Sequence, residues 1–423
     1  MGDHIIGSAD TYNQYLPLRV FFSQALKSGE IPLWYPYQAL GLPFLGIVQG
    51  GGLYPFNLII YKFFDPYWGY NFSIYFHLVL AQFGGFLYSF YVYRKMGFGR
   101  LLAIFSGFIF GLSGFIVSHL DFVPLQNSMV YIPWSMLFLN LLMDNWKEGG
   151  IRRNWGWIWG LSVCMGYQFL AGYPQAFLYT FIFMFMFVLF SNYKFVSLFF
   201  LSFLLSFPII GIFAYEGFGL SWISVRNYIN FETYNQGSFP LYGLWGMVIP
   251  FIFGGSVSNP QYWGPSTGTI SFEFLGYISI IALPLTVFGY YKIFNEIFKD
   301  DNYGKSPIGA GKILWIIGVL GLISFVLALG KYNLVLHYLL FDLPFYSKVR
   351  IVARHLMEFH FVQSIIIPVA IYYIVKKSGS WFTYENERFQ GQEQFRKKLK
   401  DSPDLLEKLT NEVKLKLGMI KSE

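Results

Sequence analysis

The residues best suited to chemistry in this sequence are a few carboxylates, arginines and one histidine that lie between long apolar segments. Asp10 stands near the start of the chain, His119 and Asp121 follow one apolar segment, and Glu273 begins another. A carboxylate in such a place can act as a general base on a hydroxyl group, or it can position a divalent cation. A carboxylate at a helix end can equally reach into water, so for His119 and Asp121 both interpretations stay open.

A group of basic residues precedes the last apolar segment: Lys348, Arg350, Arg354 and His355. Arg350 and Arg354 are four residues apart, so on a helix they would share a face, and two guanidinium groups on one face can bind a phosphate bidentately. The alternative is ion pairing with Asp342 or Glu358. Because these charges oppose the usual charge distribution around membrane segments, we favour phosphate binding.

The composition indicates a protein that lies in a lipid bilayer. Hydrophobic residues make up 55% of the 423 residues, aromatic residues 22%, and charged residues only 13%, against about 25% charged in average soluble domains. The net charge of +7 comes mainly from short loops between apolar segments, which argues against a nucleic-acid partner. The single cysteine, Cys164, excludes a disulfide within this chain and a multi-cysteine metal site.

The apolar segments predict an all-α, polytopic bundle of about nine membrane-spanning helices. The predicted spans are roughly 69–93, 99–120, 127–143, 155–172, 174–191, 195–214, 273–293, 311–330 and 359–375. Segments 52–64 and 240–254 are shorter and are expected to be interfacial or re-entrant. The domains are therefore a first extracytoplasmic loop (1–68), a transmembrane domain (69–375) with outer loops 215–272 and 331–358, and a charged cytoplasmic tail (376–423).

Loop charges predict which side of the membrane each loop faces. Every second loop is rich in lysine and arginine and is expected in the cytoplasm, so that all three long loops face outside. This leaves residues 1–68 outside without a visible export signal, and we expect a further helix to belong before Asp10. Residues 15–25 predict an amphipathic interfacial helix. In the tail, Ser402 and Pro403 predict a helix start, and Leu405, Leu409 and neighbouring apolar residues form one stripe.

Several stretches of the sequence resemble the YfhO family of bacterial membrane proteins, which belongs with the GT-C type glycosyltransferases. The matching stretches are 10–17 (DTYNQYLP), 28–37 (SGEIPLWYPY), 41–44 (GLPF), 54–57 (YPFN), 113–119, 172–175 (GYPQ), 224–226, 273–277 and 350–354. The first-loop pattern is fairly specific, and the others are short. Members of the family are usually much longer, with more helices and outer domains.

The resemblance implies a GT-C-like fold and a polyprenyl-phosphate sugar as donor, used on the outer side of the membrane. It also implies an acidic residue early in the first outer loop, and Asp10 holds that place as base or metal-coordinating residue. His119 and Asp121 would support it, and Arg350 and Arg354 would bind the donor phosphate. Four other residues would contribute to substrate binding: Tyr15, Gln175, Arg226 and Glu273. No cofactor is required, although a divalent cation (Mg²⁺ or Mn²⁺) is compatible with the carboxylates.

The expected function is transfer of a sugar to a cell-envelope polymer or lipid, in the bacterial inner (cytoplasmic) membrane. The alternative is a transporter or flippase for a lipid-linked or small solute. Transporters usually carry ionisable residues near the bilayer midplane and show internal repeats. Here the predicted spans are nearly free of charge and no convincing repeat is visible, which favours the enzyme. A third, weaker hypothesis is a non-catalytic scaffold in envelope assembly.

Overall fold

A computed structural model describes residues 5–146, 150–224, 228–254, 263–264, 276–297, 309–343, 346–378, 381–384 and 387–416. These residues are mostly helical, as the sequence predicts. The chain divides into two compact units, residues 1–368 and residues 369–423.

The first unit contains helices from α1 to the greater part of α17, and one short hairpin. The helices are α1 (Leu16–Lys27), α2 (Pro55–Phe63), α3 (Pro66–Arg94), α4 (Arg100–Gly111), α5 (Gly114–Ser118), α6 (Val123–Met129), α7 (Tyr131–Asp144), α8 (Gly150–Leu170), α9 (Pro174–Asn192), α10 (Val196–Leu204), α11 (Phe207–Ile223), α12 (Phe231–Asn235), α13 (Gly243–Val248), α14 (Ala282–Lys292), α15 (Ala310–Ala328), α16 (Leu334–Phe341) and α17 (Leu356–Ser378). Strands β1 (Trp34–Tyr35) and β2 (Leu42–Pro43) pair antiparallel in the first loop.

Among the described residues, four helical segments are long and apolar enough to cross a membrane: Arg100–Ser118, Pro174–Leu204, Ala310–Ala328 and Val352–Lys376. The nine predicted spans are therefore not all confirmed. The predicted span 127–143 is divided between α6 and α7, and 195–214 is divided between α10 and α11, which has Pro208 in its first turn. A proline favours a helix start because its missing N–H and fixed φ suit the first turn.

Helix α1 packs with one face against the protein. Leu18, Phe22 and Leu26 are buried along that face, and the Phe22 ring stacks on Phe44 with 5.4 Å between centroids. The Ser23 hydroxyl donates a hydrogen bond to the backbone oxygen of Tyr61 in α2 at 2.8 Å. The amphipathic pattern that predicted this helix thus marks a stripe that is covered by neighbouring helices, and α1 fixes the position of the residues just before it.

The second unit contains a hairpin and two helices. Strands β3 (Trp381–Tyr384) and β4 (Glu387–Gln390) pair antiparallel, with Trp381 opposite Gln390, and α18 (Gly391–Asp401) and α19 (Pro403–Lys416) follow. Helix α19 begins at Pro403, the residue that the sequence places first in the helix. The sequence did not indicate the hairpin, because each strand is only four residues long and neither shows a regular alternation of apolar and polar residues.

Candidate functional site

Four segments of the first unit meet around the beginning of α1. They are the π-helical turn Thr11–Tyr15, the turn after α5, the start of α9, and the segment that leads into α17. The contacts between them hold a buried arginine, two carboxylates and a tyrosine hydroxyl. We call this group of residues the arginine cluster: Asp10, Tyr15, Asp121, Phe122, Tyr173, Gln175 and Arg354.

Thr11 joins the chain start to the turn after α5. Its buried hydroxyl donates a hydrogen bond to the backbone oxygen of Asp121 at 3.1 Å and accepts one from the Ser8 amide at 3.2 Å. The neighbouring side chain of Asp10 is exposed, and that of Asp121 is partly buried. Two carboxylate residues that are 111 positions apart in sequence are thereby anchored to one another through a single threonine.

Tyr15 interacts electrostatically with both carboxylates and with the arginine. Its ring is 4% exposed and stacks on Phe122, with 5.5 Å between centroids and 17° between planes. Burial and the charge of Asp10 raise the pKa of Tyr15; the charge of Arg354 lowers it, and Asp121 also contributes a rise. The phenol therefore stays protonated and can donate a hydrogen bond. Asp10, Asp121 and Arg354 are thus all close enough to this hydroxyl group to affect its pKa.

Arg354 is buried between two aromatic rings. Its Cζ atom lies 5.0 Å from the ring centroid of Phe122 and 5.0 Å from that of Tyr173, and the residue is 6% exposed. A guanidinium group is attracted by the negative face of an aromatic ring, most strongly where water is excluded. The rings fix the position of this positive charge, and Nη1 also donates a hydrogen bond to Gln175 Oε1 at 3.5 Å.

The Gln175 side chain connects the segment before α17 to the start of α9 through hydrogen bonds. Its Oε1 accepts a hydrogen bond from the Tyr173 hydroxyl at 2.9 Å, and its Nε2 donates to the backbone oxygen of Arg350 at 2.7 Å and to the Tyr179 hydroxyl at 2.9 Å. The amide thus holds both the backbone and the side chain that define where the Arg354 guanidinium lies.

Arg350 and Arg354 do not share a helix face. The Arg350 side chain is exposed and lies before the helical turn that begins at Val352. Between them Ile351 adopts the left-handed conformation, with φ 63° and ψ 68°, which is unfavourable for a β-branched residue. The four-residue spacing argument is therefore wrong for this pair, and Arg354 alone joins the arginine cluster.

Backbone hydrogen bonds hold this strained segment in place. The Ile351 amide donates to the Gln236 oxygen at 3.2 Å, and the Ala353 amide donates to the Gly237 oxygen at 3.1 Å. Gly237 has φ 77°, and a Cβ atom added there would lie 2.8 Å from Ile351 Cγ2. Strain of this kind persists only where the surroundings determine it, and it is common at functional sites.

The remaining predicted site residues lie elsewhere. His119 is fully buried, its Nδ1 lies 2.7 Å from the Phe115 backbone oxygen, and it interacts electrostatically with His360. These contacts lie in the interior of the first unit. Arg226 and Glu273 are outside the described residues.

The two carboxylates of the arginine cluster are suited to a cation that keeps most of its water ligands, and not to one that is held entirely by protein ligands. Within the described residues no group of three or more His, Cys, Asp or Glu could hold a metal ion. Asp10 and Asp121 could supply the one or two carboxylates that Mg²⁺ usually takes from a protein, with water and substrate phosphate completing the octahedron.

Sequence reasoning missed Thr11, Phe122 and Tyr173. Two of them stand beside residues that it singled out, since Thr11 follows Asp10 and Phe122 follows Asp121. Aromatic residues are so frequent in this chain that no local signal distinguishes those that enclose a cation. The sequence signal that could have found Thr11 and Phe122 is their position next to a charged candidate residue.

Comparisons with known proteins bear on the end of the chain. Residues 366–418 match the family model of the RecA C-terminal domain. The chain is 52% identical over 50 residues to Protein RecA of Bifidobacterium breve, which is 12% of this chain and 13% of that protein. It is 53% identical over 47 residues to Protein RecA of Corynebacterium glutamicum (strain R), covering 11% and 12%. The chain thus spans about an eighth of the length of these relatives, and no solved structure gives a significant match.

The start of the RecA similarity lies close to the division between the two units. The family match begins at residue 366, and the compact units divide between Pro368 and Val369. All residues of the arginine cluster come before that point. The similarity therefore describes the second unit and leaves the chemistry of the arginine cluster to be argued from its own geometry.

Proposed function

We propose that the first unit is a membrane glycosyltransferase that moves a sugar from a polyprenyl-phosphate donor to a cell-envelope polymer or lipid. The observation that carries this proposal is the Arg354 guanidinium, buried between Phe122 and Tyr173 beside a protonated Tyr15 and the Asp10 and Asp121 carboxylates. An arginine fixed away from water binds a phosphate strongly, and a nearby carboxylate can accept a proton from a hydroxyl.

In the proposed reaction, Asp10 acts on the acceptor hydroxyl and Arg354 acts on the donor phosphate. The acceptor hydroxyl loses its proton to Asp10 while its oxygen attacks the anomeric carbon of the sugar. The bond from that carbon to the phosphate oxygen breaks, and the configuration inverts. The second negative charge that develops on the leaving polyprenyl phosphate is held by Arg354, and such fixed charge stabilisation is often the largest contribution to catalysis. The Tyr15 hydroxyl is a further donor to the same phosphate.

The proposed setting is the bacterial cytoplasmic membrane, with the arginine cluster on the outer face. The apolar helices are compatible with a membrane protein, and the basic loops support the orientation through the positive-inside rule. About nine crossings remain part of this proposal. The polyprenyl tail of the donor would lie in the bilayer against exposed phenylalanine side chains such as Phe105 and Phe108 of α4.

The RecA similarity enters the proposal only as a statement about the second unit. We infer from about 50% identity over 50 residues that this unit has the fold of a RecA C-terminal domain. It covers 12% of the chain, so no RecA activity is assigned to the membrane unit.

The test is transfer from a radiolabelled polyprenyl-phosphate sugar by the purified full chain in liposomes. Asp10→Asn should lower the transfer rate by about 10²- to 10⁴-fold, the usual contribution of a general base. The matched control is Asp342→Asn, which changes an exposed carboxylate outside the arginine cluster and should leave the rate within about twofold, as surface changes usually do. Transfer by Asp10→Asn at the wild-type rate would refute the role of Asp10.

A transporter is a second candidate, and one observation favours it. Glu358, His355 and His360 are buried inside the candidate span Val352–Lys376, and ionisable residues in a membrane span often mark a transport path. A fluorescent polyprenyl phosphate placed in one leaflet separates the two functions. Movement to the other leaflet without any sugar transfer would support the transporter and contradict the enzyme.

A further inference from the structure

A buried carboxylate lies one helical turn after Arg354. Glu358 is 1% exposed, and neither of its carboxylate oxygens meets the geometry of a hydrogen bond with a described residue, although the Thr180 hydroxyl lies nearby. An ionised carboxylate without hydrogen bonds is very unfavourable in a medium of low dielectric constant. Glu358 is therefore more stable as the neutral acid, and a route that carries a proton to it would have to pass through its neighbours.

His355 is the first member of such a route. Its Nδ1 lies 3.9 Å from Glu358 Oε2, and its Nε2 is hydrogen-bonded to the Tyr346 hydroxyl at 2.6 Å. The Tyr179 ring stacks on the imidazole with 3.5 Å between centroids and 10° between planes. This stacking holds the imidazole with one nitrogen toward the carboxylate and the other toward the tyrosine. Only the 3.9 Å gap must close for a proton to cross.

The route continues through two tyrosines to α16. The Tyr346 and Tyr234 rings lie 6.0 Å apart between centroids, and their hydroxyl groups are close enough to affect each other's pKa. The Tyr234 hydroxyl is hydrogen-bonded to His337 Nδ1 at 2.8 Å. Glu358, His355, Tyr346, Tyr234 and His337 thus form a row in which each group can both give and accept a proton. We call this row the proton relay.

Burial keeps the members of the proton relay outside the membrane span in their neutral forms. It lowers the pKa of His337 to about 4 and raises the pKa of Tyr234. A neutral imidazole and a protonated phenol can pass a proton along without storing charge. Among the described residues, the Tyr179 phenol is a further titratable group that faces Glu358 and His355, and its hydroxyl accepts a hydrogen bond from Gln175.

We propose that Glu358 is a proton-binding site and that the proton relay loads it from the α16 side. A proton arrives at the His337 ring, whose Nδ1 proton passes to the Tyr234 oxygen. Tyr234 passes its own proton to Tyr346, and Tyr346 passes its proton to His355 Nε2. The His355 Nδ1 proton then forms a new O–H bond on Glu358. One proton is moved, no electrons are transferred, and both imidazoles end neutral.

The proton relay is independent of sugar transfer, but it reaches the arginine cluster. Gln175 accepts from Arg354 and donates to the Tyr179 hydroxyl, and Tyr179 stacks on His355. Glu358 is therefore connected to the Arg354 guanidinium through His355, Tyr179 and Gln175. Proton occupancy at Glu358 would alter the electrostatic environment of Arg354.

Infrared spectroscopy of the full chain in liposomes tests the proposal directly. A protonated, buried carboxyl group gives a C=O stretch that shifts when its proton is exchanged for deuterium. The wild-type chain should show this band, and Glu358→Gln should lose it. Tyr346→Phe should keep the band but slow its exchange by at least about tenfold, because it removes one proton-transfer group.

The control variant and the alternatives decide the interpretation. Tyr88→Phe removes a buried hydroxyl that has no hydrogen-bond partner among the described residues and lies outside the proton relay, so its exchange should equal that of the wild type. If Tyr346→Phe does not fold, Tyr234→Phe breaks the next link and should give the same slowing. A wild-type chain without the band, a band that persists in Glu358→Gln, or normal exchange in both tyrosine variants would overturn the proposal.

Discussion

Replacing Arg354 by lysine tests the phosphate-binding role most sharply, because it keeps the positive charge and removes the paired N–H groups of the guanidinium. The guanidinium presents paired N–H groups to two phosphate oxygens, whereas an ammonium group is a point charge. The two rings that flank Arg354 at 5.0 Å also fit a flat cation better than a tetrahedral one. The variant should therefore bind a polyprenyl phosphate more weakly while remaining folded.

The size of the loss follows from one hydrogen bond. A hydrogen bond to a charged group contributes about 1.5–3 kcal/mol, and each 1.4 kcal/mol is a factor of about ten in affinity. Arg354→Lys should therefore weaken binding of a short-chain polyprenyl phosphate by about 10- to 150-fold. Isothermal titration of the purified full chain in detergent measures this change.

Arg350→Lys provides the matched control. It makes the same substitution four residues earlier, on an exposed side chain, and should change the affinity by less than about threefold, in keeping with surface substitutions. Equal losses in both variants would show that the phosphate is held by general positive charge. An unchanged affinity in Arg354→Lys would refute the argument for a bidentate contact.

Three further predictions concern stability, each measured by thermal unfolding of the purified chain. Arg19 is 1% exposed and its Nη1 and Nη2 have no hydrogen-bond partner among the described residues, so Arg19→Met should stabilise the chain by about 1–3 kcal/mol; a lower melting temperature would contradict this. Gly237→Ala should destabilise by about 1–3 kcal/mol, since the added methyl group collides with Ile351, whereas Gly211→Ala meets nothing within 4 Å and should be neutral or stabilising. Burial lowers the pKa of His337 to about 4, so between pH 6.5 and 4 the unfolded chain binds more protons than the folded chain, and the free energy of unfolding should fall as the pH falls through that range. His337→Gln should reduce this fall, and an unchanged pH dependence in the variant would contradict the argument.

Local sequence patterns predicted several parts of the arginine cluster. Asp10 and Asp121 stand beside apolar segments, where a charged side chain is costly and often functional, and their types and positions singled them out. Tyr15 was named only through the resemblance to the YfhO family. The contact that brings Asp10 to Asp121 passes through the Thr11 hydroxyl, and a threonine carries no signal in sequence that it will bridge two segments.

The error about Arg350 has a long-range cause. The spacing of Arg350 and Arg354 is correct for a helix, but the helix begins only after Ile351. That residue is held in the left-handed conformation by hydrogen bonds to Gln236 and its neighbour, more than one hundred positions earlier. Propensity and spacing describe a segment by itself, and they do not contain such distant partners.

The nine predicted membrane spans are only partly confirmed, for a similar reason. An apolar stretch of sufficient length predicts a span, but proline and short turns divide the stretches 127–143 and 195–214 into shorter helices. Whether an apolar helix faces lipid or other helices depends on tertiary packing.

The most direct test of the central claim is an electron cryomicroscopy structure of the full chain in lipid with a non-hydrolysable polyprenyl-phosphate sugar. The account predicts phosphate density within hydrogen-bond distance of the Arg354 guanidinium, with the anomeric carbon facing Asp10. Density for the donor at another place, with Arg354 still enclosed by Phe122 and Tyr173 and touching no phosphate, would contradict it.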